Sequence, residues 1–136
     1  MKGALTKSVN SVAVNYILQA QIDTVIALAH QMGVTSDIPE VPSIALGTVE
    51  ASLYDMTKVY GTIANGGRRP EPRYISRIET SDGRLIKKFE YPEPTEWEQI
   101  LHSDEASLMT NMMESVVDSG TAKRLRYVYN LSLIHI

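Results

Sequence analysis

A hydroxyl and a carboxamide lie two residues apart near the start of the chain, in the segment Lys7-Ser8-Val9-Asn10. A hydroxyl can relay a proton between reacting groups, and a carboxamide can both donate and accept hydrogen bonds. At this spacing both side chains can face one cleft. Ser and Asn are also favoured residues for starting a helix, so the tripeptide alone favours helix capping. Ser8 and Asn10 are therefore candidate site residues with a competing structural interpretation.

The remaining residues that could do chemistry do not form a recognisable site. His30, His102 and His135 are far apart and lack metal-ligand spacing, so we expect structural or solvated roles for them. The chain has no Cys, which excludes a thiol nucleophile, a disulfide and a Cys-ligated metal. It also has no Gly-rich phosphate loop and no nucleophile-elbow motif. The sequence implies neither a cofactor nor a metal.

The charged clusters have simpler explanations than binding. Asp104 and Glu105 stand at the start of a predicted helix, where acidic side chains interact favourably with the helix dipole. Lys123, Arg124 and Arg126 form a short basic group, which we interpret as a solvated face. The net charge of −3 and the pI of about 5.6 give no electrostatic case for binding nucleic acid or an anionic membrane surface.

Apolar residues at helical spacing, together with cap signals, predict the helices that must position the candidate pair. They run over residues 11–20, 23–32 and 53–64, and a last helix is predicted to be capped by Ser103 and to close at Gly120. Ser52 is predicted to cap the helix of residues 53–64 through a capping box with Asp55, and Asn65-Gly66-Gly67 is predicted to end it.

The periodicity also predicts which helical side chains are buried. The predicted core face of the helix of residues 53–64 consists of Leu53, Met56, Tyr60, Ile63 and Ala64. That of the last helix consists of Ala106, Met109, Met113, Val116 and Val117.

Residues 74–80 and 85–91 flank Ser81-Asp82-Gly83 and predict a β-hairpin. Helices followed by a hairpin and a further helix indicate an α+β domain. Because a lone hairpin is marginal in water, we expect the strands that complete its sheet to lie outside this sequence.

The ends of the chain have unusual features. It begins directly in a helical pattern, and residues 131–136 (LSLIHI) look like the translation of a transposase adaptor used in sequencing libraries. We interpret these six residues as a non-native, adaptor-derived tail joined to a truncated gene, and we exclude them from fold and function. No apolar run approaches the ~20 residues that span a bilayer, and the N-terminus has no signal-peptide pattern.

Several landmarks, in order, resemble the transpeptidase domain of class A, bifunctional penicillin-binding proteins. The stretch with Ser8-Val9-Asn10 at its centre resembles the second active-site motif of that family. Residues 43–50 and 60–67 are similar to its next landmarks, and residues 116–122 to the stretch before its third motif. The resemblance covers residues 2–130. It implies that residues 1–130 are the central part of a serine β-lactamase/D,D-transpeptidase-like domain, with its central sheet incomplete.

The family also uses a Ser-x-x-Lys motif, which holds the nucleophile, and a Lys-Thr-Gly strand. Neither motif occurs in this sequence. The resemblance therefore implies that the nucleophile lies upstream of Met1 and the strand beyond Asn130. A glycosyltransferase domain is likewise expected upstream. We expect the fragment alone to be inactive.

The resemblance implies a peptidoglycan D,D-transpeptidase, which cross-links cell-wall stem peptides through a serine acyl-enzyme. Its partners would be stem peptides ending in D-Ala-D-Ala, with β-lactams as inhibitors. Ser8 is implied as a proton relay, and Asn10 as the group that orients the missing lysine and holds the substrate backbone. The parent protein is expected at the bacterial cell membrane, with this domain in the periplasm or outside the membrane.

Two alternatives stay open. One is a D,D-carboxypeptidase or serine β-lactamase relative, in which water replaces the amine that resolves the acyl-enzyme. The other is a non-catalytic scaffold that binds wall polymer or a divisome partner. A Ser-x-x-Lys motif upstream would identify an enzyme, and its absence a scaffold.

Gln21 stands where the family resemblance leads us to expect Gly, which implies a somewhat different turn without consequence for the site.

Overall fold

The computed structural model describes residues 1–130, which form helices around one small antiparallel sheet. The elements are α1 (Lys2–Thr6), α2 (Asn10–Ala20), α3 (Ile22–Gln31), a first 3₁₀ helix (Pro42–Leu46), α4 (Leu53–Ala64), β1 (Arg77–Glu79), β2 (Leu85–Lys88), a second 3₁₀ helix (Pro94–Glu96), α5 (Ser103–Ser119) and α6 (Arg124–Tyr127). This mixture agrees with the predicted α+β class. The interpretation of residues 131–136 as a tail lies outside the described residues and stays a prediction.

The predicted helices are confirmed to within one or two residues at each end for α2, α3 and α4. The hairpin is confirmed but shorter than predicted, because only residues 77–79 and 85–88 pair. The pairing is antiparallel, with an irregularity between Ile78 and Glu79, and both strands are exposed. The first 3₁₀ helix and α6 were not predicted. Short helices of this kind leave little periodicity to read.

Part of the core lies along α5. This helix packs against both α1 and α4, and α2 packs against α3 and the first 3₁₀ helix. Ala106 and Val117 of α5 are buried as predicted, whereas the buried Met112 was not predicted. Met109, Met113 and Val116 are half-buried. The predicted core face of α5 is therefore correct near its two ends. In the middle, Met112 is buried in place of the predicted Met109 and Met113.

The predicted core face of α4 is largely wrong. Leu53 is 85% exposed and Tyr60 is 53% exposed, although Ile63 is buried. Ala64 is also exposed, and Met56 is half-buried. The side chains that α4 buries most deeply are those of Asp55 and Thr62, which are seven residues apart and share one face. Both side chains are hydrogen-bonded, Asp55 to the Thr35 hydroxyl and Thr62 to the carbonyl of Lys58, and an apolar pattern cannot reveal such buried polar residues.

The cap of α5 also differs from the prediction. Ser103 is the first helical residue, and His102 is the N-cap. The Glu105 carboxylate accepts a hydrogen bond from the backbone N–H of His102 at 2.9 Å, which completes a capping box. Glu105 therefore interacts with the start of the helix as predicted, while the cap lies one residue earlier.

Among the described residues, no single helix is long and apolar enough to cross a membrane. The α2–α3 pair, bent by 90° at its break, passes the same test of length and composition when the two helices are taken together.

Candidate functional site

Ser8 lies at the end of α1 in a backbone conformation that is rare for serine. Its φ is 54°, in the left-handed region. The N–H of Ser8 donates to the carbonyl of Leu5 and that of Val9 to the carbonyl of Ala4, both at 3.0 Å. These two bonds are those of a Schellman motif, and Ser8 takes the position that glycine normally occupies. The fold thus holds Ser8 by its backbone.

The capping interpretation of the pair does not hold. The N-cap of α2 is Val9, and no side-chain hydrogen bond caps this helix. Asn10 is the first helical residue, one position beyond the cap. Ser8 and Asn10 therefore flank the cap position, and both are exposed. Neither side chain is used to cap α2, and both are exposed to solvent at the α1–α2 junction.

Ser8 and Asn10 line the same cleft, as their spacing predicts. The cleft has a volume of about 340 Å³ and lies between α1, α2 and the end of the first 3₁₀ helix. Val9, Tyr16 and Leu46 contribute to its walls. The arrangement places a hydroxyl and an amide at the edge of a largely apolar recess. It can supply a proton relay and oriented hydrogen bonds, but the cleft-lining residues include no nucleophile paired with a base.

The position of α1 depends on α5, which sequence reasoning did not link to it. The Lys2 ammonium donates to Asn111 Oδ1 at 2.8 Å, and the Thr6 and Ser115 hydroxyls are 2.7 Å apart. A Cβ on Gly120 would lie 2.5 Å from the Thr6 carbonyl oxygen, so only glycine fits there without a shift. These contacts join residues more than a hundred positions apart, and the sequence carries no signal for them.

The pKa shifts found among the described residues lie away from this cleft. Burial opposes ionisation of Asp55, but hydrogen bonds from Ser52 and Thr35 outweigh it and lower the pKa of its carboxyl. A hydrogen bond from the Thr80 side chain is the main cause of the lowered pKa of Asp82, in the hairpin turn. Neither carboxyl lines the cleft. The electrostatics of these two groups therefore stabilise local structure rather than the candidate site.

The histidines have the kind of structural roles that we expected where the structure describes them. His30 Nδ1 lies 2.8 Å from the carbonyl oxygen of Val34, and His102 caps α5. His135 lies outside the described residues. Within residues 1–130, no cluster of three or more His, Asp or Glu side chains could hold a metal ion.

A second recess, of about 410 Å³, lies among α2, α3, α4 and the first 3₁₀ helix. Apolar side chains such as Ile17, Ile26, Ile44 and Met56 line it. It carries no group suited to acid–base or nucleophilic chemistry. The candidate site is thus the smaller cleft.

Gln21, between α2 and α3, has backbone angles that are rare for a residue with a side chain. Gln21 has φ 67° and ψ 127°, which are angles that favour glycine. A conformation that favours glycine is therefore present without glycine, and the expectation that Gln in place of Gly gives a different turn stays a prediction.

Comparison with known proteins identifies similar sequences over most of the chain. Residues 1–132 match the model of the penicillin binding protein transpeptidase domain. The chain is 32% identical to penicillin-binding protein 1B of Haemophilus influenzae over 127 residues, or 93% of the chain. It is 31% identical to penicillin-binding protein 2D of Bacillus subtilis over 85% of the chain, and 30% identical to penicillin-binding protein 1A of Aquifex aeolicus over 91%. In each case it spans 16% of the relative's length.

Proposed function

This chain belongs to the penicillin-binding protein transpeptidase family, and on that premise we propose that it supplies one wall of a serine D,D-transpeptidase site in peptidoglycan synthesis. The resemblance to the class A group is confirmed by the relatives named 1A, 1B and 2D. We place the described helices and hairpin within a serine β-lactamase/D,D-transpeptidase-like domain. The parent protein would act at the cell membrane, with this domain on its outer side.

In the proposed reaction, a serine elsewhere in the domain attacks the carbonyl of the D-Ala-D-Ala peptide bond. A bond forms between the serine oxygen and the acyl carbon, and the C–N bond to the terminal D-Ala breaks. The leaving nitrogen needs a proton. An amine from a second stem peptide then attacks the acyl carbon: the new C–N bond forms the cross-link, the bond to the serine oxygen breaks, and the proton that the amine loses returns to that oxygen. A β-lactam enters the first step in place of the peptide and leaves the serine acylated.

Ser8 is the residue that we assign to proton delivery. Its hydroxyl can accept a proton from the nucleophile's side and pass its own to the departing nitrogen. Two backbone hydrogen bonds of 3.0 Å fix the turn at Ser8, and so the direction in which its side chain leaves the backbone, before substrate arrives. Asn10 can donate and accept at once, so we assign it to orienting the lysine of the missing motif and holding the substrate backbone.

The observation that supports this assignment best is the left-handed conformation of Ser8. A serine that served only to start α2 would be expected at the N-cap, where Val9 stands. Serine instead occupies a glycine position, with φ 54°, at the edge of a cleft shared with Asn10. Unfavourable backbone angles cluster at functional sites, where the surrounding structure holds them in place.

Acylation by a fluorescent penicillin tests the proposal, with the complete protein that carries all three motifs. Ser8→Ala should slow acylation by ~10²–10⁴-fold, the usual contribution of a positioned acid or base. Ser11→Ala is the matched control, because Ser11 is an exposed serine of α2 that does not line the cleft. Equal rates for the two variants would contradict the role of Ser8. A folded complete protein that takes up no label would favour the non-catalytic scaffold.

A further inference from the structure

The first and fifth helices meet through two polar pairs in register. Lys2 and Thr6 are one turn apart on α1, and they pair with Asn111 and Ser115, which are one turn apart on α5. The two helices therefore run in the same direction at this contact. The inner pair, Thr6 with Ser115, is part-buried, whereas the outer pair is exposed.

Helix α1 has little to stabilise it by itself. It has five residues, no side-chain cap and no buried residue. A helix of this length is not stable alone in water, because nucleation costs more than one turn of hydrogen bonds returns. Its place in the fold must therefore be set by what it touches. Its contacts are with α5 and, less extensively, with α2.

Thr6 is held on two sides. Its hydroxyl is 2.7 Å from that of Ser115, and its carbonyl oxygen faces the backbone of Gly120 so closely that a Cβ there would be 2.5 Å away. Both contacts are made by the last turn and the end of α5. Thr6 is also the last helical residue of α1, two positions before Ser8. A shift of Thr6 would pass directly into the Schellman turn that holds Ser8.

The hydroxyl pair has limited freedom. The Thr6 hydroxyl also lies 2.9 Å from the Lys2 carbonyl, and that of Ser115 lies 2.6 Å from the Met112 carbonyl. These three contacts share two protons, because each hydroxyl has only one. A proton therefore lies between the two helices only when one of the carbonyl contacts is given up. The bond between the helices therefore forms in competition with the two carbonyl contacts, and either hydroxyl can be its donor.

We propose that Ser115 is a positioning residue for the proposed reaction, acting through Thr6 to fix where the Ser8 hydroxyl lies. This inference rests on the proposed function. Ser115 does not line the cleft and touches no reacting group. Its effect on acylation should arise only through Ser8, which is what separates positioning from general stability.

The test is acylation by fluorescent penicillin in the complete protein, measured well below the melting temperature. Ser115→Ala should slow acylation by roughly 10-fold, within the range for displacing a reacting group by a fraction of an ångström to 1 Å. The matched control is Ser119→Ala, one turn along α5, where an exposed hydroxyl bonds only the Ser115 carbonyl, at 3.2 Å. Thr6→Val should have the same effect as Ser115→Ala, and Thr6→Ser, which keeps the hydroxyl, should restore the rate.

The same substitution in a Ser8→Ala protein tests whether Ser115 acts through Ser8. In a Ser8→Ala protein, adding Ser115→Ala should cause no further slowing, because the group being positioned is gone. Equal slowing in both backgrounds, or none in either, would overturn the positioning role. If Ser8→Ala alone leaves acylation unchanged, the proposed role of Ser8 fails first and the role of Ser115 fails with it. If only the Ser115 and Thr6 variants have no effect, the proposed function stands.

Discussion

Ser8 and Ser52 both stand at helix boundaries, and they use their hydroxyls in opposite ways. Ser52 is an ordinary N-cap: its hydroxyl accepts the backbone N–H of Asp55 at 3.0 Å at the start of α4. Ser8 lies in the left-handed cap of the preceding helix, and its side chain does not cap α2. The sequence makes both look like caps. The hydroxyl of Ser52 stabilises the backbone, whereas that of Ser8 faces a cleft at some cost in backbone energy.

This difference separates stability from activity at the two sites. A residue that caps a helix should be replaceable at a cost in folding free energy alone. A residue in an unfavourable left-handed conformation should be replaceable by glycine with little loss, or with a gain, in the free energy of unfolding. Loss of activity without loss of stability is therefore the signature expected of Ser8, and the reverse is expected of Ser52.

The largest expected effect comes from Ser8→Gly in the complete protein. Acylation should fall by ~10²–10⁴-fold because the hydroxyl is lost. The same change should raise the free energy of unfolding by about 1 kcal/mol relative to Ser8→Ala, since glycine adopts φ 54° without the clash of a Cβ. Penicillin acylation and calorimetric unfolding measure the two quantities. A variant that is both slower and less stable than Ser8→Ala would contradict the assignment of strain to Ser8.

The converse change is Ser52→Ala. Loss of the 3.0 Å bond to the Asp55 N–H should lower the free energy of unfolding by about 1 kcal/mol. The acylation rate per folded molecule should stay at the wild-type value. The same calorimetric and acylation measurements apply, and a slowed acylation in folded Ser52→Ala protein would remove the contrast between the two serines.

A comparable gain in stability is expected at Gln21, a second helix junction where a residue other than glycine has a positive φ. Gln21→Gly should raise the free energy of unfolding by about 1 kcal/mol, after the greater freedom of glycine in the unfolded chain is subtracted. Acylation should not change, because Gln21 does not line the cleft. Calorimetry on this variant and on Ser8→Gly compares the two gains in stability. It shows whether backbone strain at a residue outside the cleft can be relieved without loss of acylation. A stability equal to wild type would mean that the turn is not strained.

The smallest effect concerns pH and sharpens the description of the Ser52 cap. Asp55 is 2% exposed, and the Thr35 hydroxyl donates to its carboxylate, 3.2 Å from both oxygens. The pKa of Asp55 in the folded protein lies below the ordinary value. The ionised carboxylate therefore stabilises the fold above the unfolded-state pKa of about 4, and this contribution is lost as pH falls through the lower, folded-state pKa. Comparing melting temperatures of wild type and Asp55→Asn across pH, we expect the difference to shrink below about pH 4.

Much of the fold could be predicted from the sequence where signals are local. The helix of residues 53–64 was located from its Ser52 cap and its Asn65-Gly66-Gly67 stop, both of which lie within one turn of the ends. Ser8 and Asn10 were selected by residue type and spacing, and they do share a cleft. Their roles in catalysis stay predictions until acylation is measured.

Other features could not be predicted, because they depend on distant partners or on backbone angles. The exposure of Leu53 and Tyr60 reflects which face of α4 is turned inwards, and the apolar pattern did not indicate that Asp55 and Thr62 would lie on the buried face. The left-handed angle of Ser8 has no signature in residue type, because serine seldom adopts it. The contact between Thr6 and Ser115 spans 109 positions, and nothing in either local sequence suggests it.

That separation of 109 positions has a consequence for the order of events during synthesis. At about 5–20 residues per second, roughly 5 to 20 s pass between the emergence of Thr6 and that of Ser115 from the ribosome. During this time α1 has no partner on α5, and a helix of five residues does not persist alone. The turn that holds Ser8 is therefore translated early but is expected to form only after α5 has been made.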